Sequence, residues 1–424
     1  MYTTRAYIRI QRPAFKSLTH HIRNHASSVA ADYSPGGASE VSLVEIRSAR
    51  AYCLDLLKKF DTPSYTLLPF IPSPSQTAYI ALRTFNLELA LIPDSVSTPQ
   101  IGKLRLQFWR DNITSIFEGR PPKQPVAVLL HHALTSLRRR TEGKGIRGAS
   151  LSKSWFMRII SAREKQFLEN GGYVNLEAVE RYAESTYSTL LYLTLQSLPL
   201  SSLTADHLAS HVGKAAGIAT VLRGIPLLAF PPPSNHHSNS SLGGVGLAQD
   251  ALGAAHQRQR QGVVTLPLDI KVETGLKDED VFRQGAAAPG LRDAVFKVAT
   301  RASDHLITAS SMLSRLRKGQ DVGHEFEHEG EEGHIYPNPD SSINEDNSVY
   351  KDLNYLEKAA AQKQLSEWDQ VRKAFPVLLG PYISTKLWLE RLEKVDFDIF
   401  REELRRREWK LAWRAWWAHR KGYF

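Results

Sequence analysis

The sequence predicts an all-α protein. Apolar residues recur at helical spacing through most of the chain, and no stretch sustains the alternation of a strand. Breaks rich in Pro and Gly cut the pattern into helix-length pieces. A chain of 424 residues, 42% hydrophobic and 23% charged, has a globular composition and can bury one large helical core.

Residues 1–31 hold Arg5, Arg9, Arg12, Lys16 and Arg23, with no acid before Asp32 and no long apolar run. That is the composition of a mitochondrial transit peptide. Residues 1–40 are therefore expected to be a transit peptide plus linker, with Ser34-Pro35-Gly36-Gly37-Ala38-Ser39 as the flexible junction and cleavage between Asn24 and Ser34. Helical periodicity runs from Val41 to Phe60, and Asp61-Thr62-Pro63-Ser64 and Pro69 to Ser75 are breaks. Ala78, Ala81, Leu82, Phe85 and Leu89 then mark an amphipathic helix. Another runs from Pro99 to Glu118 and is closed by Gly119-Arg120-Pro121-Pro122. Further helices are expected over 124–140, 152–169, 175–198, 204–223, 290–318, 350–374 and 382–420. Gly213 and Gly217, four apart, predict close helix packing, and Asp269 after Pro267 predicts a helix start.

The expected organisation is a helical domain over 41–318 with an insert at 231–262, an acidic insert at 319–349, and C-terminal helices over 350–424. Both inserts lack the apolar content needed to offset the entropy of ordering. The His and Glu residues of the acidic insert read as a solvated loop, not a metal site. The single cysteine, Cys53, excludes an intrachain disulfide and reads as a buried apolar residue. No metal or cofactor is expected. No run of about 18 apolar residues suggests a membrane span. The net charge of +10 resides at the ends: +5 in residues 1–31 and +6 in residues 405–424. A near-neutral body argues against a nucleic-acid partner.

A series of motifs carries a resemblance. Arg83-Thr84-Phe85-Asn86 is followed by Gln107-Phe108-Trp109-Arg110-Asp111, Gly119-Arg120-Pro121-Pro122 and Pro125-Val126. Then come Tyr182-Ala183, the run Gly213, Ala216, Gly217, Thr220 into Leu222-Arg223, and Thr265-Leu266-Pro267-Leu268-Asp269. In this order the set resembles the squalene/phytoene synthase family over roughly residues 45–315. The run from Ala81 to Ala90, with Asp94-Ser95-Val96-Ser97 after it, is similar to the branch of that family that assembles respiratory complex I. The resemblance implies the helical isoprenoid-synthase fold, a mitochondrial location on the matrix side of the inner membrane, and complex I subunits or assembly intermediates as partners.

Catalytic members of the family hold Mg²⁺ on an Asp-Asp-x-x-Asp helix, whose matching positions here are Asn86, Leu87 and Ala90. Hard Mg²⁺ takes oxygen ligands, and these side chains supply no anionic one. Glu88 is turned about 100° from Leu87 along the helix. At the second motif, Gly224 and Leu228 stand where the resemblance implies acids. A pseudoenzyme with no catalytic residue is therefore expected; a prenyltransferase with unusual metal ligands, or a lipid- or isoprenoid-binding module, are the alternatives. The degenerate pocket is expected to be formed by Arg83, Asn86, Glu88, Trp109, Tyr182 and Arg223, with contact to an anion or lipid as its remaining use. Arg83 and Arg223 read first as partners of a carboxylate such as Glu88 or Asp111, Trp109 with Phe108 as core, and Tyr182 as a packed, hydrogen-bonded tyrosine.

The tail is the expected working surface. Phe400, Leu404 and Leu411 form one stripe of a helix from Phe397 to Lys421, with Trp409, Trp413 and Trp416 opposite, beside Arg405, Arg406, Lys410, Arg414 and Arg420. Trp and Arg suit an anionic bilayer interface and also protein hot spots. The competing expectation is that the tryptophans fold back onto the core.

Overall fold

The computed structural model describes residues 41–96, 98–141, 150–169, 172–231, 262–320 and 353–424, with backbone alone at 141 and 353–366. The expected transit segment and most of both inserts lie outside these residues. Among the described residues all regular structure is helical.

Helix α1 (Leu43–Phe60) opens with a reciprocal cap, in which Ser42 Oγ accepts from the Glu45 amide and Glu45 accepts from the Ser42 amide. The break after it is a corner. Asp61 ends α1 and caps α2 (Thr62–Leu67) by accepting from the Ser64 amide, and Pro63 sits in the first turn, where its missing N–H costs nothing. Helices α3 (Ser73–Ala90), α4 (Ile92–Ser95), α5 (Pro99–Phe117), α6 (Pro125–Thr141) and α7 (Lys153–Leu168) follow. One core joins α1, α3, α5, α6 and α7. Phe85 sits in it fully buried, edge-on to Trp109 and Phe156 at 5.3 Å each. Burial of one such side chain stabilises by about 1.5–3 kcal/mol. Cys53 is also fully buried, and desolvation pushes its thiol up to about 12, so it is an inert core residue as expected.

The second core surrounds α10 (Leu203–Ala229) and includes residues of α8 (Leu176–Ala183), α9 (Thr189–Gln196), α13 (Leu291–Arg317) and α14 (Leu353–Lys394). A five-residue π-helical turn, Glu184–Ser188, joins α8 to α9. Gly213 and Gly217 let α10 approach this turn. A Cβ at Gly213 would lie 2.4 Å from Ser188 Cα, and one at Gly217 would lie 2.4 Å from Ala183 Cβ. By length and apolar content α10 could cross a bilayer. It is instead packed within the protein, and its buried polar groups are answered there. Glu184 accepts from Tyr192 (2.6 Å) and Ser210 (2.9 Å) and faces Lys214 at 3.9 Å, while His211 meets His305 at 3.0 Å.

The structure corrects several boundaries. Helix α10 continues beyond residue 223 through Pro226, which lies a turn from its end and so removes a hydrogen bond where few remain. Two short helices, α11 (Leu268–Thr274) and α12 (Asp278–Gln284), precede α13. The first begins right after Pro267, with Asp269 in its first turn, as expected. The helices expected at 350–374 and 382–420 are divided differently. Pro376 and Pro381 lie inside α14, which ends at Lys394. Asp396 and Phe397 then adopt left-handed φ angles of 54° and 55°, and the Phe397 amide bonds back to the Leu392 carbonyl. No glycine announces this stop; Asp tolerates the left-handed region, and Phe397 is held by an edge-on contact with Phe296 at 5.0 Å. A 3₁₀ turn at Glu402–Arg405 and α15 (Leu411–Lys421) complete the chain.

Candidate functional site

Arg83, on α3, ion-pairs with Asp61 at the α1–α2 corner (Nη2–Oδ2 2.7 Å, Nε–Oδ2 3.2 Å). The carboxylate partner is thus Asp61, not Glu88 or Asp111. Burial lowers the Arg83 pKa, but the charge and hydrogen bond of Asp61 outweigh it, so the guanidinium is held above its ordinary value. Arg163, on α7, bridges two expected pocket residues: its Nη1 donates to Tyr182 Oη (2.6 Å) and its Nη2 to Asn86 Oδ1 (3.0 Å). The rings of Tyr182 and Tyr187 lie 5.6 and 5.7 Å from its guanidinium. Desolvation pushes Tyr182 up to about 12, so it is a neutral hydroxyl. Arg223, on α10, lies over the Trp388 ring at 4.8 Å and donates to the Ser384 carbonyl at 3.4 Å. It has no carboxylate partner among the described residues, contrary to the pairing expected from sequence. Desolvation pulls its pKa down to about 10, and the nearby charge of Arg391 adds to the fall. The Nε atoms of Arg163 and Arg223 are buried with no acceptor.

Of the six expected pocket residues, Asn86 and Tyr182 are joined through Arg163, and Arg83 and Arg223 lie within electrostatic reach of the same Tyr187 as Arg163; the other two lie elsewhere. Trp109 is only 3% exposed and packs on Phe85 in the core, while its neighbour Phe108, expected in the core, is half exposed. Glu88 accepts from Tyr52 of α1 at 3.2 Å, and burial raises its pKa. Asn86 and Glu88 are about 200° apart around α3, which explains why one meets Arg163 and the other meets α1. Asp111 pairs with Gln107 at 2.8 Å on the surface. Arg163 and Tyr187 were not anticipated. The signal for Arg163 was present: Phe156, Ile159 and Ile160 define the buried stripe of α7, and Arg163 continues it at the next turn.

The donor set does not fit Mg²⁺–diphosphate chemistry. Asn86 is engaged by Arg163, Leu87 and Ala90 have no ligand atom, and Gly224 and Leu228 offer none from α10. Among the described residues no group of three or more His, Cys, Asp or Glu side chains is placed to hold a metal.

At the tail, Leu411, Ala415 and Ala418 are buried against the body. Trp413, Trp416 and Trp417 are therefore on the outer face, 64, 41 and 46% exposed, with the Trp413 and Trp416 rings stacked at 5.3 Å. Trp409, expected in the same helix, precedes it and is 81% exposed. The tryptophans do not fold back. Arg391 anchors the segment before α15 by donating to the Glu403 and Arg406 carbonyls (3.0 and 2.9 Å) and pairing with Glu408 at 3.3 Å.

The bundle has the helical fold of the isoprenoid synthases. Its backbone is similar to that of a ligand-bound dehydrosqualene synthase, at TM-score 0.54 and 13% identity over 90% of this chain and 99% of that one. It is also similar to a squalene synthase of Alicyclobacillus acidocaldarius, at TM-score 0.50 and 13% identity over 85% and 99%. At these identities the likeness carries the fold alone. A sequence profile for squalene/phytoene synthases matches residues 57–229. The chain is 37% identical over 289 residues to NADH dehydrogenase (ubiquinone) complex I, assembly factor 6, of Rattus norvegicus, covering 68% of this chain and 71% of that protein. The Homo sapiens protein of that name is 37% identical over 61% and 65%, and the Drosophila melanogaster homolog 31% over 62% and 68%. The matched stretches thus span about two thirds of these relatives. The chain belongs to the squalene/phytoene synthase family, in the branch formed by these assembly factor 6 proteins.

Proposed function

We propose that the chain is a non-catalytic assembly factor for mitochondrial complex I, held peripherally on the matrix side of the inner membrane. The observation that carries the non-catalytic part is the cleft itself. Arg163 holds Asn86 where a catalytic relative would place a metal-binding acid, and no carboxylate faces it from Gly224 or Leu228. The guanidiniums of the cleft supply positive charge, but no donor set among the described residues holds the divalent metals that would act as Lewis acid on a departing diphosphate. The names of the relatives support the assembly role. The exposed tryptophans beside Arg414 and Arg420 support a surface for the membrane or for a complex I intermediate. Deleting the gene and resolving respiratory complexes on native gels tests the role: selective loss of complex I is expected, and normal complex I would overturn it. Diphosphate release from farnesyl or geranylgeranyl diphosphate with Mg²⁺ would overturn the non-catalytic reading.

A second reading has its own observation. Arg163 and Arg223 have no carboxylate partner among the described residues, and each has a buried Nε without an acceptor. A bound anionic lipid or isoprenoid would meet both needs. Native mass spectrometry of the purified protein is expected to show a stoichiometric adduct if this use persists.

A further inference from the structure

A second cationic cavity, far along the chain from the family motifs, lies where α13, α14 and α15 meet. It has a volume of about 610 Å³, within the range of ligand-sized sites. Arg317 enters from the end of α13, Arg372 from α14, and Arg420 and Lys421 from the last turn of α15, while Trp368 and Phe375 give it an apolar side. Among the described residues no carboxylate side chain lines it. None of the four cations makes an ion pair with a described residue. Three lean on aromatic rings instead: Arg317 on Tyr423 at 5.3 Å, Arg420 on Trp416 at 5.6 Å and Lys421 on Trp417 at 4.7 Å. Phe424 braces this end of the cavity, since its ring stacks on Tyr382 at 3.8 Å and also meets Phe375 at 5.1 Å.

Four exposed cations around a concave site make it electropositive and attractive to an anion, and guanidinium forks match phosphate oxygens. The apolar side of the cavity suits a ligand that is part hydrocarbon. The same helix carries the exposed Trp413, Trp416 and Trp417, a residue type that settles at the level of lipid headgroups. Cavity and tryptophans are thus parts of one surface. We infer that this cavity is the headgroup site for an anionic phospholipid of the bilayer, with the phosphodiester between Arg317, Arg372 and Arg420 and the tryptophans in the interface beside it. This deepens the membrane-surface reading above and rests on it.

The test uses the full chain in co-sedimentation with phosphatidylcholine vesicles, with and without phosphatidylglycerol. Wild type is expected to bind only the anionic vesicles. R372A/R420A is expected to bind at least about tenfold more weakly than R405A/R406A, which removes equal charge from the same end of the protein outside the cavity. Unchanged thermal melts establish that the variants are folded. Equal losses in the two double variants would reduce the effect to general electrostatics and overturn the site. Equal capture by neutral vesicles would overturn it too, as would saturable binding of inorganic phosphate without vesicle binding. If R372A/R420A binds like wild type while W413A/R414A does not, the cavity assignment fails and the membrane-surface reading stands.

Discussion

Replacing Asp61 by Asn tests whether Arg83 is a structural partner or a free anion receptor. Asp61 accepts two hydrogen bonds from the guanidinium, at 2.7 and 3.2 Å, and also caps α2 through the Ser64 amide. The two side chains are only 16 and 19% exposed. Removing one member of a buried pair costs about 3–5 kcal/mol, and the remaining solvent contact reduces this to about 2–3 kcal/mol here. The amide of D61N still offers one acceptor for the cap, so the loss is mainly that of the counter-charge. R83M leaves Asp61 its cap but strands its carboxylate, so it is likewise expected to cost about 2–3 kcal/mol. The two changes share one interaction, so D61N/R83M is expected to fall short of the sum by about 1–2 kcal/mol. Urea unfolding of the full chain and the three variants, followed by circular dichroism, measures this. Additivity within about 0.5 kcal/mol would refute the reasoning and leave Arg83 free for a ligand.

Four other outcomes follow from the geometry. Gly213→Val is expected to destabilise by about 3 kcal/mol or more, because its Cβ would meet backbone atoms of Ser188 that cannot rotate away; a melting temperature unchanged from wild type would count against the close contact. Arg391→Ala is expected to free the segment from Glu403 to Glu408, read as new protease cleavage there with α1 to α13 still protected, and an unaltered digest would contradict it. Burial raises the Glu180 pKa, but hydrogen bonds from His305 and Arg301 outweigh it and hold the carboxyl down to about 2, from 4.5. A depressed carboxyl stabilises above pH 4.5 and loses that contribution, about 3 kcal/mol, as pH falls from 4.5 towards 2; E180Q should flatten the acid limb of stability against pH, and an identical limb would refute the assignment. If the tail meets the membrane as proposed, W413A/R414A should reduce carbonate-sensitive association with it, since an Arg near an anionic surface contributes about 1 kcal/mol and the Trp adds interfacial contact, and unchanged fractionation would argue against a membrane role for the tail.

The fold class and most of the bundle were legible because the helices are amphipathic and bounded by Pro and Gly, as in the piece from Ala78 to Leu89. The stop at Asp396 was not, because two left-handed residues without glycine leave no mark in a run of good helix formers. The cleft was half legible. The absence of acids at Asn86, Leu87, Ala90, Gly224 and Leu228 is a property of residue type and is read directly. What engages each polar group depends on long-range packing, which is why Asp61 and Arg163 came only from the structure. The 610 Å³ cavity draws on three helices, with lining residues at Arg317, then from Trp368 to Pro376, then from His419 to Gly422, and no local pattern announces it.

The π-helical turn between α8 and α9 has a consequence for how the cleft tolerates change. In an α-helix, residues five apart point about 140° away from each other. A turn bonded from i to i+5 brings them towards the same side, which is how Tyr182 and Tyr187 both lie against the Arg163 guanidinium. The extra residue therefore sets the phase of the helix, not its length. Deleting one residue between Glu184 and Ser188 would rotate everything after it by about 100°, take Glu184 out of step with Tyr192, and turn one wall of the cleft inside out while every other helix kept its place.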